Sequence, residues 1–221
     1  MGDSLLQIEG LRVKNDGDRT VRQFALDIDS LEVRPNDCIL ILADRCHGKS
    51  ALRASLKAIF CQPLTEGNNL DIPQCEESKP IVHVDSLFRR EDACFHEQGG
   101  DPKGLQAVED RSTIIYCDDP LFPHTQNSSS REILDTVRKR SLTMMMASDP
   151  DRLQGTLEYL LTHQTSRILW LCNGRVFWNG LAGEFHTSVD ALCGRYRSEA
   201  EQGRSTENFL RTIHAATQRF N

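Results

Sequence analysis

Apolar positions in this chain fall into short runs of strand length, separated by polar breaks and interleaved with segments of helical spacing. "LLQIEGLRV" and "QFALDIDSLEV" are rich in branched aliphatics and are split by the polar "KNDGDRT". That pattern predicts two antiparallel strands at the front of the domain. "CILILA", Cys38 to Ala43, is apolar throughout, as a central strand covered on both faces must be. Beyond it Ala51, Leu52, Leu56 and Ile59 recur at helical spacing and predict a helix to about Phe60. "IVHV" (81–84) reads as a short strand, "STIIYCDDP" (112–120) as a buried strand stopped by Pro120, and "LTMMMAS" as another.

Between these runs "SSSREILDTVRKR" has serine caps, an early Glu132 and a basic last turn, which together predict a helix. "DPDRLQGTLEYLLTH" predicts a second, with Pro150 near its first turn. "RILWLCNGRVFWNG" holds two apolar runs joined by Asn173-Gly174, the favoured two-residue hairpin turn. From Thr187 the chain reads as helical, with Val189, Leu192 and Tyr196 on one stripe and Phe209, Ile213, Ala216 and Phe220 on another. The second stripe is expected to pack on its own domain; a docking or dimerisation helix is the alternative, because "RSEAEQGRST" breaks the pattern before it. Gln62–Pro80 and "RREDACFHEQGGDPKG" read as loop. Strands alternating with helices predict an α/β fold whose mostly parallel sheet carries antiparallel strands at front and back. The expected division is a core over 1–186 and a helical tail over 187–221.

Composition narrows the function without naming it. The 221 residues suffice for one well-packed domain. A net charge of -6 argues against a phosphate-neutralising surface, so no nucleic-acid partner is expected. No run approaches the ~20 apolar residues of a membrane span, and "MGDSLLQIEG" lacks a basic n-region before an apolar core. A cytoplasmic protein that reaches the inner membrane only through a partner is the expectation. Eight cysteines without a C-x-x-C pair read as reduced thiols. The histidines lack zinc-ligand spacing, and Met144–Met146 read as strand core.

The chemistry concentrates in "CILILADRCHGKSALRASL", where Gly48-Lys49-Ser50 sits at the junction of strand and helix. A triphosphate needs inward main-chain N–H groups, a lysine for the β/γ-phosphates and a hydroxyl for Mg²⁺. Those three residues supply them at a helix N-terminus, which favours anions. Five residues before Gly48 stands Ala43; a left-handed backbone there would cost an alanine about 1–2 kcal/mol. His47 lies inside the loop and is expected to be exposed to solvent. In "IIYCDDP", Asp118 at a strand end can deliver a carboxylate to Mg²⁺ held by Ser50, with Asp119 placed to orient a water.

This order of features resembles the nucleotide-binding domain of ABC transporters, a P-loop NTPase, over roughly residues 4–185. "ADRCHGKSAL" is similar to Walker A, "IIYCDDP" to Walker B and "RILWLCNGRVFWNG" to the late hairpin. The resemblance implies ATP and Mg²⁺ as cofactors, with ATP contacts among Ala43, His47, Gly48, Lys49, Ser50 and Ala51. Magnesium would rest on Ser50 and Asp118. Where the family carries its catalytic glutamate this chain has Asp119, one methylene shorter, and a misplacement near 1 Å can cost ~10²-fold in rate. The switch histidine falls at Ser148, and the Q-loop glutamine near Asp85 or Ser86. No aromatic for adenine stacking stands near Val13–Asn15. Only "EQGGDPKGLQAVEDR" remains where the helical subdomain and signature belong, with Gly99-Gly100 as a relic and Gln98 in place of the serine. A membrane permease or a second ABC-type subunit, as homo- or heterodimer, is the implied partner. Two readings stay open: an ATP-binding subunit that powers or regulates a transport assembly with weak or absent hydrolysis, or a pseudo-ATPase serving as a non-catalytic regulatory subunit.

Overall fold

Residues 4–14, 26–61, 81–98, 108, 112–118, 135–148, 153–163, 166–200 and 204–219 are described in the computed structural model. Strands β1 (Leu6–Lys14) and β2 (Leu26–Val33) pair antiparallel, from Leu6↔Val33 to Val13↔Leu26. Their buried and exposed positions alternate until Gly10 (φ +62°), where the alternation slips by one residue. Leu6 and Ile8 before it and Leu11 and Val13 after it all reach the core. β4 (Ile81–His83) and β5 (Ser86–Arg89) fold back antiparallel on β1.

The parallel half is built around β3 (Cys38–Ala43), which lies between β8 (Thr143–Ala147) and β9 (Arg167–Cys172). β7 (Thr113–Asp118) follows β8, and β6 (Cys94–Gln98) closes that edge. The sheet runs β4-β1-β2-β10-β9-β3-β8-β7-β6, with β5 on β1. β10 (Arg175–Leu181) pairs antiparallel with β9 and, among the described residues, meets β2 through one parallel pair, Arg175↔Asp27. Asn173 (φ +53°) and Gly174 (φ +78°) make the hairpin turn with both central residues left-handed, as a type I′ turn requires.

Continuous apolar strands are explained by cover on both faces. Leu40 and Leu42 of β3 join Met144, Met146, Ile168 and Trp170 on one face. That face is covered by α3 (Leu153–Leu161), α4 (Ala182–Glu199) and α5 (Arg204–Gln218), while α2 is described over 135–139. Ile39, Ile41 and Ala43 face the other way, against α1 (Lys49–Cys61) and the front strands. α4 begins at Ala182, five residues before the helical tail read from the pattern, and Phe185, Val189, Leu192 and Tyr196 share the sheet's core. α5 lays Phe209, Leu210, Ile213 and Ala216 into the same core. Burying each of the larger side chains contributes about 1.5–3 kcal/mol, which holds the helix on its own domain.

β6 falls in the stretch whose pattern reads as loop, and β5 in a stretch to which the pattern assigns no element. Side chains of β5 alternate between exposed and half-buried, and β6 lies at the sheet edge, so neither shows an apolar run. Gln62–Pro80, Asp119, Pro120, the serines at 128–130, Pro150, Phe220 and the Gly99-Gly100 segment lie outside the described residues.

Candidate functional site

The chain leaves β3 at Ala43, turns through Asp44–Gly48 and enters α1 at Lys49. Two residues of the turn have positive φ, Cys46 at +62° and Gly48 at +106°. The second angle is beyond the left-handed well that side-chain-bearing residues visit, so glycine is required there. Ala43 remains in the strand, and the strain expected of it falls instead on Cys46, at about 1–2 kcal/mol. Leu52 N–H donates to Gly48 O at 2.9 Å, closing the first turn of α1. That turn has no acidic side chain, so its positive end faces the loop uncompensated by its own helix.

Lys49 curls back across the loop. Its Nζ donates to Ala43 O at 3.2 Å and to Ser148 O at 3.0 Å, bridging the ends of β3 and β8. Ser148 is 3% exposed, and its Oγ has no hydrogen-bond partner among the described residues. A buried hydroxyl without a partner costs about 1–3 kcal/mol, so a polar ligand beside the lysine fits this position. Ser50 is exposed on α1, whereas Ala51 is half-buried against the apolar core beneath it.

Asp118 closes β7 opposite Ala147, which in turn lies opposite Ile41. Two strand spacings separate the main chain at Asp118 from β3 by ~10 Å. β6 ends on Gln98, next to Cys117 at 98↔117 in the register. The carboxyl ends of β3, β8, β7 and β6 thus share one edge, the side of an open α/β sheet where ligands bind. Asp119 is outside the described residues, and the side chains of Asp118 and Gln98 are likewise not described.

Asp85 does not reach this edge. It sits between β4 and β5 on the antiparallel side, five strand positions along the sheet from β3 to β4. Its N–H donates to Glu9 O at 2.9 Å, and its Oδ1 meets Arg12 Nη1 at 3.3 Å and His83 Nε2 at 3.0 Å. The carboxylate fills the space over Gly10, where a Cβ would stand 1.8 Å from Oδ2. Asp85 is therefore a structural group of the front sheet, and Gln98 occupies the strand end beside β7. Ser86 belongs to β5 and pairs with Glu9.

His47 is buried, at 8% exposure, and not exposed to solvent as its place in a polar loop suggests. Asn173 N–H donates to its Nδ1 at 2.9 Å, so a neutral ring carries its proton on Nε2. Tyr196 Oη stands 3.3 Å from the same nitrogen, and Gly174 N–H donates to His47 O at 3.3 Å. Tyr196 stacks on Trp170 at 4.8 Å and meets Phe177 and Phe209 edge-on or tilted, at 5.4 and 5.5 Å. Burial pushes the Tyr196 hydroxyl well above its ordinary pKa. Asp44, 2% exposed, accepts from Ser205 Oγ at 2.5 Å, Thr206 Oγ1 at 3.1 Å and Arg45 N–H at 2.7 Å. On the far side of α1, Glu97 of β6 binds Lys57 Nζ at 2.8 Å and Arg53 Nε at 3.0 Å. Lys57 foremost holds its carboxyl below the usual range.

No protein-family model matches this chain, and no curated protein matches it. Its structure is similar to that of CbiO1 from Clostridium perfringens, part of the ABC transporter complex CbiONQ. The identity is 12%, the match covers 89% of this chain and 96% of that one, and the TM-score is 0.51. It is also similar to the ADP conformation of MJ1267, an ATP-binding cassette of an ABC transporter. There the identity is 14%, the coverage 94% and 98%, and the TM-score 0.52. The chain adopts the fold of an ATP-binding cassette, a P-loop NTPase architecture with a mixed sheet.

Proposed function

We propose that the protein is an ABC-type nucleotide-binding subunit that holds Mg-ATP at the carboxyl edge of β3, β8 and β7. The observation that carries this reading is Lys49 Nζ between the carbonyls of Ala43 and Ser148, beneath the Gly48 bend. The residues present fit the ligand: a bent anion-binding loop, a lysine over it and the orphan hydroxyl of Ser148 beside that lysine. Lys49 and the amides at Gly48–Ala51 would bind the phosphates, and Ser50 with Asp118 would hold the metal. Bound Mg-ATP supplies a phosphoryl group activated for transfer to water.

Turnover is expected to be weak or absent. A serine hydroxyl at 148 could offer a γ-phosphate one hydrogen bond but carries no imidazole, which the resemblance implies there, and Asp119 is one methylene shorter than glutamate. A permease or a second cassette would be the partner through which the protein reaches a membrane, with the fold likeness to a component of CbiONQ as support. Among the described residues no helix is long and apolar enough to cross one. The regulatory, non-catalytic reading is favoured by the Ser148 position if turnover is nil.

The test is thermal unfolding with and without Mg-ATP. A ligand at ~100 times its Kd stabilises the native state by about 2.7 kcal/mol, and Lys49→Ala should remove that gain. A wild-type melting curve indifferent to Mg-ATP overturns the binding reading. Steady hydrolysis that Asp119→Asn abolishes overturns the non-catalytic one.

A further inference from the structure

We propose that the first turn of α5 positions the phosphate loop, with Ser205 and Thr206 acting as positioning residues through Asp44. For its ligand-binding arm this rests on the nucleotide reading above.

A carboxylate at 2% exposure is costly unless its lone pairs are met. Asp44 meets them with one N–H from its own loop, at Arg45, and two hydroxyls from consecutive residues of α5. The carboxylate also lies at the helix N-terminus, where the aligned peptide dipoles favour an anion. α5 is not loose: Phe209, Leu210, Ile213 and Ala216 seat it in the core shared by the sheet, α3 and α4. Asp44 is therefore tied to a rigid body that is distant in sequence.

Three residues on, His47 is tied to a second body. Asn173 N–H and Gly174 N–H of the hairpin turn hold its ring and its carbonyl, with the Tyr196 hydroxyl at the same ring nitrogen. The segment between the two ties contains Cys46, whose φ of +62° is imposed by anchors on both sides. Loop curvature is thus set by the C-terminal helices before any ligand arrives. Preorganisation of this kind lowers the ordering cost of binding.

The experiment compares amide hydrogen exchange at residues 44–50, without ligand, in wild type, Ser205→Ala/Thr206→Val and Thr206→Ser. Loop exchange should rise about tenfold or more in the double variant, the size expected for lost hydrogen bonds to a charged group. Thr206→Ser, which retains the hydroxyl, should match wild type, and amides of β3 and β9 should be unchanged in all three. A second arm titrates Mg-ATP, whose Kd should rise about tenfold in the double variant and stay near wild type in Thr206→Ser. Should the double variant unfold, Asp44→Asn is measured instead, with the same loop-confined increase expected. Wild-type loop exchange in the variants overturns the proposal, as does an increase spread evenly over β3 and β9. If wild type binds no Mg-ATP, the nucleotide reading fails, while the exchange arm still decides the role of α5.

Discussion

Gly48 and Cys46 provide a paired test of the loop, because their backbone angles demand opposite outcomes from opposite substitutions. At φ +106° Gly48 is beyond even the left-handed well near φ +50 to +70°, so Gly48→Ala must cost more than the about 1–2 kcal/mol charged for that well. If the loop keeps its shape, the cost appears in folding. If the loop relaxes, Lys49 Nζ leaves the Ala43 and Ser148 carbonyls and the cost appears in binding. One or two kcal/mol is about a five- to thirtyfold change in either equilibrium. Cys46→Gly runs the other way: it relieves about 1–2 kcal/mol of strain and loses about 0.5–1 kcal/mol to glycine's freedom in the unfolded chain. Its net effect is a gain between about zero and 1.5 kcal/mol. Urea unfolding followed by circular dichroism measures the folding share, and titration with a fluorescent Mg-ATP analogue measures the binding share. If Gly48→Ala matches wild type in both, or Cys46→Gly weakens both, the bend described here is wrong.

Ser148→Ala should separate stability from binding. Removing a buried hydroxyl that lacks a partner raises stability without ligand by about 1–3 kcal/mol, while Mg-ATP affinity falls; lower stability without ligand would show that the hydroxyl is satisfied within the protein. Glu32 is held down to about 2 from an ordinary 4.5, chiefly by Arg34 and then by Ser4. A depressed carboxyl contributes stability above its unfolded pKa that is lost as pH falls through the folded one. Wild type should therefore exceed Glu32→Gln in urea midpoint near neutral pH, and the difference should shrink from about pH 4.5 to about 2. A difference constant over that window would show that Arg34 does not hold this carboxylate.

Legibility in the sequence followed cover and locality. β3, β7 and β8 were readable because layers on both faces demand unbroken apolar runs, and the Asn173-Gly174 turn because its signal is complete in two residues. β6 was not, since an edge strand with Glu97 tied to Arg53 and Lys57 looks polar. Missing β6 misplaced Asp85: "IVHV" was the last strand visible before β7, yet it joins the antiparallel half, and the strand beside β7 ends on Gln98. Gly48 and Lys49 are legible in local pattern and Ser148 only through the resemblance; Lys49 Nζ donates to the Ser148 carbonyl. The anchoring of Asp44 and His47 was invisible because their partners Ser205, Thr206 and Tyr196 lie 161, 162 and 149 residues away.

Among the described residues, the long sheet is stitched between β2 and β10 by one registered pair, Arg175 with Asp27, reinforced by Asp27 N–H to Gly174 O at 2.7 Å. Side chains tie the same halves directionally as well, Arg167 Nη1 to Glu32 O at 3.0 Å and Arg89 Nη1 to Ile59 O at 2.7 Å, beside the apolar packing around α1. Among the described residues this seam has fewer ladder pairs than any other in the sheet, so side chains carry most of the coupling between the front strands and the parallel half.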